Sequence, residues 1–193
     1  MSEYQAIGRK GGTDEHQVGV SANGMAVWIN LMKPPVSTVI SRNPHLLNLI
    51  KEIIAQSKLE KKHLAVSCDM QRIVGYADTV VSKDGDTIFY AREPKAQAFT
   101  RFVKNRHADQ TSVVSMRLEM DGPDRYKVIQ VQLGAASPPL PGSAGQTAQS
   151  LPYWEKHAVV YNGQALQASS LTKECPYEGA TKPASAETAT ASA

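Results

Sequence analysis

Cysteine is scarce in this chain: Cys68 and Cys175 are its only two, far apart and outside any Cys-x-x-Cys or Cys/His spacing. That argues against a disulfide framework and against a structural zinc site. Aromatic residues are few, at 6%. No apolar run approaches membrane-spanning length, and the opening Met-Ser-Glu-Tyr-Gln lacks the basic start and apolar core of a secretory signal, so no membrane partner and a cytoplasmic location are expected. Paired carboxylates, a metal-ligand cluster, a P-loop, a dinucleotide fingerprint and a Gly-x-Ser-x-Gly elbow are all missing, and neither a cofactor nor a metal is expected. Lys10-Gly11-Gly12-Thr13 has glycines and a cation but not the spacing of a phosphate cradle.

What remains is a chain of 193 residues, long enough to bury one core, with a mild formal charge of +3 that is unevenly spread. Residues 42–62 hold five basic and two acidic groups, and residues 91–108 hold five basic and one acidic. These segments carry +3 and +4, against −4 for the remainder, so a basic surface can exist on a nearly balanced chain.

Periodicity points to an α+β fold: a mainly antiparallel sheet with two principal helices in a single domain. A flexible amino-terminal arm is expected over residues 1–15, the domain over 16–177 and a disordered tail over 178–193. Val18 and Val20, Asn23-Gly24, then Met25, Val27 and Ile29 form a hairpin signal. Asn43-Pro44 reads as a helix start, with Leu46, Leu47, Ile50, Ile53 and Ile54 at helical spacing to about Leu59. Strands are predicted over 63–67, 73–81 and 87–90 as an antiparallel meander. The second helix is predicted over Pro94 to Asn105, with Ala98, Phe99, Phe102 and Val103 as its apolar stripe and Gln97, Arg101 and Lys104 on another face. Residues 111–120 and 126–133 alternate around Asp121-Gly122-Pro123-Asp124 and form the best-marked hairpin. A long exposed proline-rich connection, residues 134–150, leads to a strand over Lys156 to Tyr161 that ends at Asn162-Gly163.

The segment Leu-Pro-Tyr-Trp-Glu-Lys-His, residues 151–157, gathers most of the candidate chemistry. Histidine is the natural proton carrier near neutral pH. His157 starts a strand on whose face Val159 and Tyr161 also lie, so an imidazole and a phenol could meet at the edge of a cleft; the alternative is a strand-end histidine satisfied by a backbone carbonyl. His107 follows the basic group Lys104-Asn105-Arg106. Metal-free RNA cleavage requires only a base for the ribose 2′-hydroxyl, an acid for the leaving oxygen and cations for the phosphorane. His157, His107, Arg117 and Tyr161 are the catalytic candidates, and Arg101, Lys104 and Arg106 the candidate phosphate binders.

Phe89-Tyr90-Ala91-Arg92, the run Ser115 to Leu133 and Tyr153-Trp154-Glu155-Lys156-His157-Ala158, in that order, resemble phage- and plasmid-borne relatives of the barnase, EndoU, colicin E5/D and RelE nucleases. The resemblance spans at most Asn43 to Gly163 and implies metal-independent RNA cleavage, leaving the choice between His107 and His157 open. The competing class is a non-enzymatic inhibitor with a protein partner, such as a fertility-inhibition protein acting on conjugative transfer machinery. Tyr153 and Trp154 would then anchor the interface. No helix-turn-helix spacing supports sequence-specific DNA binding.

Overall fold

The computed structural model describes residues 14–180. In chain order they form β1 (Glu15–Val20), β2 (Ala26–Asn30), α1 (Val36–Arg42), α2 (Leu46–Gln56), β3 (His63–Asp69), β4 (Gly75–Tyr76), β5 (Thr79–Val81), β6 (Ile88–Ala91) and β7 (Thr100–Val103). Then follow β8 (Gln110–Thr111), β9 (Val113–Gly122), β10 (Arg125–Leu133), α3 (Ser150–Trp154) and β11 (His157–Val160). The class is α+β with mainly antiparallel sheets. These elements fall into two compact units, one made of the residues up to Thr79 together with Ala108–Ser137, the other of Val80–His107 and the residues from Pro138 onward.

The first unit is built on a five-stranded sheet in the order β1-β2-β10-β9-β3. Both predicted hairpins form: β1 with β2 across Asn23-Gly24, and β9 with β10 across Asp121–Asp124. Gly24 takes φ 84°, the left-handed conformation a tight turn needs. Asn23 also uses its side chain, accepting from the Leu59 N–H at 3.0 Å and donating to the Leu59 carbonyl at 2.8 Å. The inward residues Val27, Ile29, Val114, Met116, Leu118 and Val128 pack with Leu46, Leu49, Ile50, Ile53 and Ile54 of α2. Each aliphatic side chain so buried contributes roughly 1.5–3 kcal/mol of transfer free energy. The spacing of those α2 residues keeps one helical face on the sheet.

The second unit has a four-stranded sheet, β5-β11-β7-β6. Here β6 runs antiparallel to β7, with Phe89 opposite Phe102 and Tyr90 opposite Arg101, while β11 runs parallel to β7, with Val159 opposite Phe102. The Phe89 and Phe102 rings stack at 5.3 Å between centroids.

Several boundaries and several elements differ from expectation. The predicted helix over Pro94 to Asn105 is a loop followed by strand β7. All four β7 residues are buried, because the strand has a neighbour on each edge and side chains packed on both faces. A strand covered on both faces loses its alternation, and Phe-x-x-Phe-Val then imitates a helical stripe. Lys95 at φ 67° and Asn105 at φ 43° break the backbone on either side. The face that was to hold Gln97, Arg101 and Lys104 therefore does not exist.

Asn43 closes the unpredicted helix α1, and α2 begins at Leu46 after His45 in the N-cap position and ends at Gln56, leaving Lys58, Lys61 and Lys62 beyond it. The meander is not formed: β3 pairs with β9, and residues 73–81 split into β4 and β5. The split occurs where Asp78 turns to bond Leu133, its N–H donating to the Leu133 carbonyl at 3.0 Å and its carboxylate accepting the Leu133 N–H at 2.9 Å. The connection over 134–150 is not wholly exposed: Ser137 and Pro141 are buried and Leu140 joins the Trp154 cluster. Of the expected arm, Glu15 already belongs to β1, and of the expected tail, Ala180 packs beside Tyr177; residues 1–13 and 181–193, with Lys10-Gly11-Gly12-Thr13, lie outside the described residues.

Candidate functional site

All the candidate residues named from sequence fall in the second unit except Arg117, which lies in β9 of the first. The geometry centres on His157. Helix α3 is short; its carbonyls run out at Tyr153, whose oxygen accepts both the Lys156 N–H at 3.1 Å and His157 Nδ1 at 2.9 Å. A carbonyl can only accept, so Nδ1 carries the hydrogen and the neutral ring has its lone pair on Nε2, a tautomer assigned from this bond. The imidazole lies flat on the Tyr153 ring, 3.8 Å between centroids and 3° from parallel. His157 is half-buried, and Nε2 makes no hydrogen bond to a described residue. The backbone-carbonyl alternative thus accounts for one ring nitrogen and leaves the other open.

Arg101 meets His157 through the backbone. Its Nη1 donates to the His157 carbonyl at 3.1 Å and to Ser82 Oγ at 2.8 Å, while Ser82 Oγ donates to the Lys156 carbonyl at 2.7 Å. The register puts Arg101 and Tyr90 on one face of the sheet; alternation puts Phe89, Phe102, Val159 and His157 on the other. Arg101 thus reaches His157 at its backbone carbonyl and makes no hydrogen bond to its ring. Arg101 is only 9% exposed, and no carboxylate among the described residues pairs with it. Beside it, burial pushes the Tyr90 phenol up, the adjacent Cys175 thiol adds to the rise, and Arg101 opposes it. Burial also holds the Tyr177 phenol far above its usual range; its hydroxyl donates to the Phe99 carbonyl at 3.2 Å.

Tyr161 shares the predicted face but packs edge-on against Phe89 and Phe102 at 5.5 and 6.1 Å. Four residues of strand separate its backbone from that of His157 by roughly 13 Å, so the two do not form a hydrogen-bonded pair. His107 and Lys104 are exposed beyond β7. Arg106 is engaged by Asp86 at 3.1 Å and by the Val81 carbonyl. The Lys83 N–H bond, with Arg106 assisting, holds the Asp86 carboxyl below the usual carboxylate range.

Trp154 is corrected from partner anchor to core residue: it is 4% exposed, packs with Tyr90 and Tyr177, and its Nε1 donates to the Pro138 carbonyl at 3.0 Å. Tyr153 remains half-buried, between Trp154 and His157. Arg117 donates to the Ser137 carbonyl at 2.6 Å and borders a small depression with Ser115, Gln130 and Gln132; burial lowers its pKa. Sequence reasoning missed Ser82, Tyr90, Cys175 and Tyr177, because Tyr90 comes opposite Arg101 only when 100–103 is a strand.

Among the described residues no three His, Cys, Asp or Glu side chains group so as to hold a metal ion, and no helix is long and apolar enough to cross a membrane. Comparisons with protein-family models, with curated proteins and with solved structures find no match.

Proposed function

We propose that the protein acts on RNA as a metal-independent endoribonuclease of a plasmid or phage, with His157 as the general base. The observation that carries this reading is the His157 ring, oriented by the Tyr153 carbonyl and ring and offering an Nε2 that has no hydrogen-bond partner among the described residues. Nε2 accepts the proton of a ribose 2′-hydroxyl, the freed oxygen attacks the neighbouring phosphorus, and the P–O5′ bond breaks. The departing oxygen takes a proton from water, leaving a 2′,3′-cyclic phosphate, and Nε2 returns its own proton to solvent. Lys104 and Lys156, both exposed in the same unit, supply cations for the backbone.

The second reading, a non-enzymatic inhibitor that binds a protein of conjugative transfer machinery, is favoured by one specific observation. Arg101 is engaged with the His157 backbone carbonyl rather than its ring and Tyr161 is too far along the strand, so the base lacks the partners first expected beside it.

Incubation of the purified protein with RNA and chelator separates the two. The nuclease reading expects cleavage that falls by about a hundredfold or more in His157→Ala, in line with loss of a general base, and much less in His107→Ala. No cleavage by the wild-type protein, or equal cleavage by His157→Ala, rejects it and leaves the inhibitor reading.

A further inference from the structure

We propose that β3 is a pairing edge through which two copies of this chain join into one continuous sheet, antiparallel about a two-fold axis at Val66. The inference goes beyond the proposed cleavage and does not depend on it.

Strand β3 ends the order β1-β2-β10-β9-β3 and pairs with β9 alone among the described strands. Its seven residues keep an unbroken register, from His63 opposite Glu119 to Asp69 opposite Val113. Just outside it, the Met120 N–H donates to the Lys62 carbonyl at 2.8 Å and the Met70 N–H to the Ser112 carbonyl at 2.8 Å. These two bonds set the phase of the ladder. Leu64, Val66 and Cys68 turn their backbone toward β9, while His63, Ala65, Ser67 and Asp69 turn theirs outward. All four outward residues are exposed, and no described residue bonds to the backbone of His63, Ala65 or Ser67.

The other ends of the two larger sheets are guarded. β1 is bulged between Gln17 and Gly19, β6 is bridged by Thr172 at Tyr90, and β5 has only three residues. Strand β3 contains no proline, lysine or bulge, the devices that keep an edge from pairing.

The residues of the strand say what fits it. Antiparallel pairing about Val66 sets His63 opposite Asp69 of the second copy, Leu64 opposite Cys68, Ala65 opposite Ser67 and Val66 opposite itself. An imidazole thus meets a carboxylate at both ends of the pair. Asp69 is held in place by the Gln71 N–H, which donates to its carboxylate at 2.9 Å, and Glu119, 3.9 Å from His63, adds negative charge on the same side. Ala65 and Ser67 are small enough to let the strands close, and Leu64, Val66 and Cys68 extend the half-buried face that packs on the core. The outward backbone groups are also the ones this register joins: His63 with Asp69 and Ala65 with Ser67 form the hydrogen-bonded pairs, and Val66 falls at a non-hydrogen-bonded pair. The contact is isologous, so it closes at two copies.

Sedimentation equilibrium of the full chain tests this. A single strand pair lies at the low end of specific interfaces, so a reversible dimer with Kd of about 10–100 µM is expected. Ala65→Pro deletes an outward N–H that β9 does not use and is expected to leave only monomer over the same range. His63→Glu sets like charges opposite each other at both ends and is expected to weaken the dimer about tenfold; His63→Lys is expected to tighten it. Should Ala65→Pro fail to fold, the exposed His63 variants decide. Val66→Cys, in a chain carrying Cys68→Ser and Cys175→Ser, brings two thiols together across the axis, with Cα atoms about 4.5 Å apart, and is expected to give a covalent dimer on mild oxidation. A monomer at every concentration overturns the proposal, including the case in which a strand of a different protein takes this edge. A dimer indifferent to Ala65→Pro and His63→Glu, or one that Val66→Cys does not cross-link, also overturns it. RNA cleavage is read separately, so a monomeric nuclease rejects the dimer alone and an inactive dimer rejects the nuclease alone.

Discussion

Replacing Trp154 with phenylalanine separates a core indole from an interface anchor. The indole is 4% exposed, donates to the Pro138 carbonyl at 3.0 Å and packs against Tyr90 and Tyr177. Phenylalanine retains a ring but not the donor. Loss of that bond leaves the carbonyl without its partner, costing about 1–1.5 kcal/mol. The missing part of the ring system leaves a void smaller than those of large-to-alanine changes, which cost 3–5 kcal/mol, so about 1–1.5 kcal/mol is reasonable for it. Together the expected loss is about 2–3 kcal/mol. With a urea slope of about 2 kcal/mol/M, the midpoint of the transition should fall by about 1–1.5 M. Far-UV circular dichroism is the right reporter, since Trp154 is one of only two tryptophans and its removal alters the fluorescence signal. A midpoint within 0.2 M of wild type, about a tenth to a fifth of the expected shift, would refute the burial argument and return Trp154 to the protein surface.

Four further outcomes follow from the same geometry. Asp78 is half-buried and burial raises its pKa, the Leu133 N–H and Arg42 opposing the rise. A carboxyl with a raised folded-state pKa contributes its stability below the unfolded pKa, about 3.9, and loses it as pH climbs through the folded value. Asp78→Asn keeps an acceptor for Leu133 without the charge, so its stability relative to wild type should grow between pH 3 and neutrality in urea titrations; a shrinking difference contradicts this. Tyr126→Phe deletes the hydroxyl that donates to the Lys61 carbonyl at 2.9 Å from a fully buried ring, and chemical denaturation should show a loss of about 1 kcal/mol. Gly134 sits at φ 98°, and a Cβ added there would lie 3.3 Å from Ala77 Cβ, so Gly134→Ala should cost about 1–2 kcal/mol in the same assay. Tyr153→Leu removes the ring under His157 while keeping its carbonyl, and should lower RNA cleavage less than His157→Ala does.

The elements that could be read from the sequence are those whose local signals agree with their surroundings. Alternation around Asn23-Gly24 and Asp121–Asp124 predicts both hairpins, because each strand has one buried and one more polar face. The spacing of Leu46, Ile50, Ile53 and Ile54 predicts α2 for the same reason. Strand β7 escaped because its burial on both faces erases the two-residue period, and Thr100–Val103 is too short to be told from part of a helix. With β7 went the pairing of Tyr90 with Arg101, and so the neighbours of the one buried arginine among the described residues. His157 was identifiable by residue type and by its place at the head of β11, but its bond to Tyr153 depends on α3 ending where it does. Tyr153-Trp154 shows the limit of composition: adjacent aromatics on a short helix point in different directions, and only packing decides that Trp154 is buried while Tyr153 lies under His157.

The proposed chemistry depends on which nitrogen of His157 holds the lone pair. A long-range 15N–1H correlation spectrum of the neutral ring measures this directly. The hydrogen bond to the Tyr153 carbonyl at 2.9 Å predicts a protonated Nδ1 and a lone pair on Nε2. A protonated Nε2 would contradict it, leaving no base at the open edge of the ring.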